Sequence, residues 1–338
     1  MPGLFPTTDV MAPVTYPNQK QQTGDTNALV IAEYAGHVEG TIERKSVLAD
    51  WIPMRSIRGT NTVRNYAVGE ATLGKVEPGV APAASGIDFS KAELTVDTVI
   101  YARNIFPLLD VFQTQYDARK EVGVEHGKKI AKFRDQAFFI QAARSALLTQ
   151  SRYQDGGASG KPDGHFGGSQ ETLANAADVT DPAKMYRAVS NLQTKMALKD
   201  VDFMDDDIML AFRPDVFAAL RDSEQIQNGM YHTADGTQKE GLVFKALGAP
   251  VVSSNNIPNT NITGHLLSNT ANGNAYNGDF SKLAGLAFSP RALLAGETIP
   301  LESDVFYDKI YKMWFVDSHM AFGVTPNRAE YAGAILLP

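Results

Sequence analysis

Between Pro107 and Pro162 no proline interrupts the chain, and one apolar face runs through most of that interval. Val122, His126, Ile130, Phe133, Ala137, Ile140, Arg144 and Leu147 recur at steps of three and four, with Phe138, Ala142 and Ala146 widening the face. The spacing predicts one helix over 116–149, roughly 50 Å long at about 1.5 Å per residue. Most helices of globular proteins are far shorter. Gly123 and Gly127 lie inside it, each costing roughly 1 kcal/mol relative to Ala, so a bend or a frayed turn is expected there. Surface on so long an element has to be covered by flanking structure or by neighbouring molecules.

Upstream of the helix the pattern changes to a period of two. Thr62, Val63, Tyr66 and Val68 form one run, and Phe89, Leu94, Val96 and Val99 form a return run with Lys91, Glu93 and Asp97 between them. The connection from Gly69 to Gly86 holds Gly69, Gly74, Gly79, Gly86, Pro78 and Pro82, and too few apolar residues for a core. This reads as a projecting β-hairpin. A two-stranded ribbon is marginal alone in water, so it should lie on something, and a neighbouring subunit is the expected support.

Elsewhere the signals are local. Residues 1–25 are polar and rich in Pro, Gln and Thr, as in an extended arm. Ala28, Ile31, Ala32 and Ala35 suggest a short helix ended by Gly36, and Trp51-Ile52-Pro53 marks an edge segment. Ser151 to Ser169 reads as a Gly-rich loop, and Asp181-Pro182 opens a helix that runs to Ala197. Strands are expected at Ile208–Phe212, Leu242–Leu247, Ala249–Ser253, Leu286–Phe288, Ile310–Asp317, Met320–Val324 and Tyr331–Leu337, with a helix over Pro214–Asp222. Asn228–Glu240 and the asparagine-rich Asn255–Asp279 read as loops.

Composition excludes several chemistries. The chain has 338 residues, a 43% hydrophobic fraction adequate for a real core, and no cysteine. A disulfide framework, a thiolate zinc site, an iron–sulfur cluster and a cysteine nucleophile are therefore ruled out. A net charge of −7 argues against a protein that grips nucleic acid through many phosphates. No apolar run approaches the roughly 18 residues of a membrane span. Lys20 is the only basic residue between Met1 and Ala28 and no apolar stretch follows it, so no signal peptide is expected and an intracellular product is.

Candidate reactive groups each have a plainer explanation. Asp205-Asp206-Asp207, with Asp200 and Asp202, could ligate a hard cation but lacks the spacing of a calcium loop; a polar turn before the strand is the expected reading. His37, His126, His165, His232, His265 and His319 are too scattered for a local metal face, and Asp163-Gly164-His165 lies in a glycine-rich loop. No Gly-x-Ser-x-Gly elbow and no phosphate-cradling glycine motif is present. Arg119, Lys120, Lys128, Lys129, Lys132, Arg134 and Arg144 make the long helix basic, but no aromatics interleave, so a solvated face or ion pairs between subunits is expected. No cofactor is expected.

Four stretches, taken in order, resemble a known family. They are Tyr34-Ala35-Gly36-His37-Val38 continuing to Arg44, Ser46, Val47 and Arg55-Ser56-Ile57; Tyr66-Ala67-Val68-Gly69 through Glu77-Pro78-Gly79 to Glu93-Leu94-Thr95-Val96-Asp97; Asp110 to Thr149 with Tyr116-Asp117-Ala118-Arg119; and Gly323-Val324-Thr325-Pro326-Asn327-Arg328-Ala329-Glu330-Tyr331-Ala332-Gly333-Ala334. Gly248-Ala249-Pro250-Val251-Val252 with Asn256 and Pro258 adds a fifth. The order resembles the major capsid protein of tailed phages, the Hong Kong 97-type fold, and is most similar to that of short-tailed phages (podoviruses). The tail before Asp25 and residues 255–279 carry no resemblance.

The resemblance implies an α+β chain: an N-terminal arm over 1–57, an extended hairpin (the E-loop) over 58–99, a peripheral domain over 100–180 with a spine helix at 116–149, a mixed α/β axial domain over 181–285, and return strands over 286–338. It implies a structural, non-enzymatic subunit whose hexamers and pentamers close an icosahedral shell around double-stranded phage DNA. Contacts between subunits would fall on the hairpin at Arg64, Tyr66, Lys75, Glu77, Pro78, Lys91 and Glu93. Gly123 and Gly127 would give the spine its flexibility. Implied partners are further copies of the chain, scaffolding and portal proteins, a cement protein, and DNA held without sequence readout. The location would be the virion, reached from the host cytoplasm, with no membrane. Some relatives crosslink a loop lysine to an asparagine of a neighbour; Lys75 and Asn327 are the pair that would serve, although the short-tailed relatives do not generally do this. Two other readings are an encapsulin-like cargo-storing shell and, more distantly, a metal-dependent hydrolase using Asp200–Asp207.

Overall fold

The structure is a computed structural model that describes residues 48, 51–69, 73–76, 78–79, 81, 89–108, 118–153, 165–222 and 245–338, without the side chains of 118–121. Most of the expected arm, the Ala28–Ala35 helix, residues 110–117, Asp163, Gly164 and the loop Asn228–Glu240 lie outside these residues. The strands are β1 Met54–Ser56, β2 Thr62–Val68, β3 Phe89–Thr95, β4 Ile100–Pro107, β5 Ser169–Thr172, β6 Met209–Phe212, β7 Lys245–Ala246, β8 Ala249–Ser253, β9 Asn261–Ile262, β10 Gly278–Asp279, β11 Leu283–Phe288, β12 Leu293–Asp308, β13 Met313–Pro326 and β14 Ala332–Leu336. The helices are α1 Ala118–Leu147, α2 Pro182–Ala197 and α3 Pro214–Arg221. α1 is helical throughout, without a break at Gly123 or Gly127, and both glycines are buried. The chain forms an α+β fold in two compact units.

The first unit takes residues 1–49, 97–134 and 297–322. In it β13 pairs antiparallel with β4, from Met313 opposite Pro107 to Met320 opposite Ile100. β12 alternates inward and outward from Glu297 to Phe306, the signature of a strand with one covered face. The polar residues of β13 find partners across the sheet. Arg103 pairs with Asp317, and its guanidinium lies 5.8 Å from the centre of the Phe315 ring. His126 of α1 hydrogen-bonds Asn104 Oδ1 at 2.7 Å through Nε2 and meets Ser318 Oγ at 3.5 Å through Nδ1. Burial holds the His126 pKa below the ordinary histidine value, with Asp317 pulling the other way. One expectation is corrected here. Residues 310–312 belong to a turn, with Lys312 at φ 56° and Asp308 Oδ1 accepting from Ile310 N at 2.7 Å. The two strands expected at 310–317 and 320–324 are one strand, β13.

The second unit takes residues 50–96, 135–296 and 323–338. Its centre is a six-stranded mixed sheet in the order β5-β14-β11-β6-β8-β7. β11 is antiparallel to both β14 and β6, while β14–β5 and β6–β8 are parallel. α2 starts as the sequence predicts: Asp181 Oδ1 accepts from Ala183 N at 3.0 Å and Lys184 N at 3.3 Å, and Pro182 takes the first turn. Its buried face, Met185, Ala188, Val189, Leu192 and Met196, meets the sheet at Gly333, where a Cβ would come within 2.9 Å of Leu192. The second half of α1 buries Ala137, Phe138, Phe139, Ile140, Ala142, Ala143 and Ala146, with Gln141 and Ser145 among them, so it is enclosed on most sides. Leu247 and Gly248 both have positive φ and form a two-residue turn between β7 and β8, which shortens the strand expected at 242–247.

Among the described residues no helix is long and apolar enough to cross a membrane.

Candidate functional site

The hairpin is built by its register. Arg64 lies opposite Glu93, Tyr66 opposite Lys91 and Val68 opposite Phe89. These residues share one face, and the next phase, with Val63, Asn65, Ala67, Ala92 and Leu94, makes the other. The inner face is covered by the chain's own second unit. Ala92, Leu94 and Val96 are buried, and a Cβ on Gly323 would stand 3.1 Å from Val96 and 3.2 Å from Leu94. The strands therefore do have an intramolecular support, which corrects the expectation that their apolar positions had none.

The outer face is different. Tyr66, Val68 and Phe89 are 66%, 51% and 73% exposed, and Leu73 and Val76 of the connection are 96% and 67% exposed. Arg64 Nε donates to Glu93 Oε2 at 3.3 Å, and Lys91 Nζ lies 3.7 Å from the same oxygen. The Arg64 hydrogen bond holds the Glu93 carboxyl below its ordinary value. This cluster bridges β2 and β3 and leaves an apolar row bare beside it. Of the residues expected to make inter-subunit contacts, Arg64, Tyr66, Lys91 and Glu93 share this face. Lys75 and Pro78 are exposed in the connection, and Glu77 lies outside the described residues.

Asn327 sits at the hairpin's root, 7% exposed. Its Oδ1 accepts from Asn65 Nδ2 at 3.0 Å and from the Tyr153 hydroxyl, while its Nδ2 donates to Arg291 O at 3.2 Å. The amide is held in this internal network. Asn65 and Tyr153 were missed by the sequence reading. The signal was present for Asn65, a polar residue at the inward phase of an alternating strand.

The other candidates resolve into local structure. Asp206 Oδ2 accepts from Asp202 N at 3.0 Å and Asp206 Oδ1 from Arg291 Nη1 at 2.8 Å; Asp202 Oδ1 accepts from Met204 N at 2.9 Å. These bonds and the positive φ of Asp200 and Asp207 describe a tight polar turn. Among the described residues no group of three or more His, Asp or Glu side chains is arranged to hold a metal ion. Lys128, Lys129 and Lys132 are exposed on α1, with Lys128 3.5 Å from Glu125. His165 hydrogen-bonds Val68 O at 3.2 Å and lies 3.8 Å from Glu330, and His319 lies 3.6 Å from Glu302. His265 stacks on Tyr276. His37 and His232 lie outside the described residues.

No family model matches the sequence, and no curated protein matches it. Solved structures do. The capsid structure of cyanophage P-SCSP1u superposes with a TM-score of 0.72 at 20% identity, covering 87% of this chain and 88% of that one. The mature capsid of bacteriophage PhiM1 gives 0.71 at 23% identity, covering 86% and 87%. The virus-like particle from Pyrococcus furiosus gives 0.53 at 10% identity, covering 91% and 99%. The chain has the fold of tailed-phage capsid subunits, the Hong Kong 97-type fold that its sequence resembles.

Proposed function

We propose that this chain is a major capsid protein, a structural subunit without an active site, whose hexamers and pentamers close an icosahedral shell around double-stranded phage DNA. The observation that carries this is the capsid fold over almost the whole length of both chains, at a TM-score of 0.72. The bare apolar row on the hairpin agrees with it, since exposed Tyr66, Val68 and Phe89 need a second surface and a neighbouring copy supplies one. Rings close when heterologous contacts complete a rotation, and joined rings of six and five make a shell. Each subunit would then bury area on several neighbours, beyond the roughly 1,600 Å² of a standard pairwise interface.

On this reading the chain is divided as the resemblance implies: arm 1–57, hairpin 58–99, peripheral domain 100–180 and 286–338, axial domain 181–285. Arg64, Tyr66, Lys75, Glu77, Pro78, Lys91 and Glu93 meet a neighbour, and Gly123 and Gly127 let the spine helix change curvature as the shell expands. Scaffolding, portal and cement proteins are the further partners, DNA is confined rather than read, and the protein moves from host cytoplasm to virion. Sedimentation of the chain co-expressed with its scaffolding partner tests this. Megadalton particles or ring precursors are expected, and a monodisperse monomer under every condition would overturn it. The likeness to the virus-like particle from Pyrococcus furiosus keeps a second reading, an encapsulin-like shell, in view. Particles filled with a co-purifying protein through a short peptide, and free of DNA, would select that reading.

A further inference from the structure

A cavity of about 400 Å³ opens in the second unit at the root of the hairpin. Leu94 of β3, Arg144 near the end of α1, Arg152 just after it, Asn272 and Tyr276 of the asparagine-rich loop, and Thr325 of β13 line it. Two guanidinium groups thus face one small space. Arg144 Nη1 donates to Ala275 O, and Arg152 Nη1 donates to Thr325 Oγ1 and, at 3.4 Å, to Pro326 O. All three acceptors are neutral. Among the described residues neither arginine has a carboxylate within ion-pair distance, and their remaining N–H groups have no acceptor. Glu93 also lines the cavity, but Arg64 at 3.3 Å and Lys91 at 3.7 Å hold its carboxylate.

Arg144 is half-buried and Arg152 exposed, and two like charges that face one cavity without a counter-charge repel each other at some cost. Partial desolvation by the cavity wall lowers both arginine pKa values, although Arg152 still reaches solvent, and Arg144 lowers that of Arg152 further. An anion between them would remove that cost. Arginine presents parallel N–H donors that match the oxygens of a carboxylate or phosphate.

We propose that Arg144 and Arg152 form an oxyanion site in this cavity, which takes a carboxylate or phosphate group. Two sources share that chemistry: an acidic side chain of a second copy of the chain, and a free anion.

Inorganic phosphate is the probe, titrated by calorimetry into the unassembled subunit. Saturable binding at one site is expected, weakened at least about tenfold by Arg152→Gln through loss of a charge-assisted pair. Lys132→Gln, on exposed α1 surface, should bind as the parent does. If Arg152→Gln fails to fold, Arg152→Lys, which keeps the charge but not the fork, takes its place with the same expected direction. No saturable heat, or equal affinity in the Arg152 variant, would overturn the site. The titration is then repeated on assembled particles. Loss of phosphate binding there assigns the natural ligand to a neighbour's carboxylate, and retained binding assigns it to a free anion. Only this second arm rests on the shell reading, so failure to assemble leaves the first result standing.

Discussion

Replacing Asn327 by Leu should unfasten the root of the hairpin. The wild-type amide makes three side-chain hydrogen bonds while 7% exposed: two into Oδ1 from Asn65 and Tyr153, and one from Nδ2 to Arg291 O. Leucine fills a similar volume but makes none of them. Asn65 Nδ2 keeps its bond to the Tyr153 hydroxyl at 2.9 Å and loses the one to Asn327, but Asn65 is only half-buried and its freed N–H is left out of the sum. The Tyr153 hydroxyl proton and the Arg291 carbonyl are then left without partners. A buried group left unsatisfied costs about 1–3 kcal/mol, so the two together predict about 2–6 kcal/mol. Against a total stability of roughly 5–15 kcal/mol, that is a large fraction. Urea unfolding of the unassembled subunit, followed by far-ultraviolet circular dichroism, measures it. Asn65→Ala on the parent should cost less than this, and its effect should shrink in the Asn327→Leu background because the two residues share one network. A midpoint within about 0.5 kcal/mol of the parent for Asn327→Leu would refute the reasoning.

Three further outcomes follow from other parts of the molecule. Val68→Lys with Phe89→Lys should leave subunit stability within about 0.5 kcal/mol, since both sites are exposed, yet abolish closed particles in sedimentation. Gly123→Ala with Gly127→Ala should stiffen α1 and slow shell expansion measured by light scattering; if the buried glycines serve close packing instead, the variant will lose thermal stability and expand normally. Burial lowers the His265 pKa from 6.5 to about 4, so the unfolded chain binds that proton first as pH falls. Its contribution to stability is complete above about pH 6.5 and declines toward pH 4, and His265→Gln should flatten that part of the pH–urea midpoint curve.

What could be read in advance was whatever depends on local pattern. The 3.6-residue period gave away α1, the run Thr62, Val63, Tyr66 and Val68 gave away β2, and Asp181-Pro182 marked the start of α2. The misses lie where partners are remote in sequence. β12 carries Gly296, Pro300 and a polar residue at alternate positions, which looks like loop until its inward phase is covered. Ser318 and His319 fall between the strands expected at Ile310–Asp317 and Met320–Val324, although β13 runs through them without a break. The strand continues there because His126 meets Ser318 and Glu302 lies 3.6 Å from His319, partners remote in sequence. The same limit hid the arginine cavity. Arg144 reads as one basic residue among seven on a helix, and only folding brings it together with Arg152 and a wall from residues 271–276. The hairpin itself was legible from its two runs, while its outer face comes from the register. The Asn65–Tyr153–Asn327 network was not, because it joins three segments far apart in the chain.

Electron microscopy of the purified chain, expressed with its scaffolding partner, bears most directly on the central claim. Closed icosahedral particles are predicted, built of hexamers and pentamers, with Tyr66, Val68 and Phe89 covered by an adjacent subunit. Uniform monomers in every preparation, or particles in which that row of the hairpin faces solvent, would contradict it.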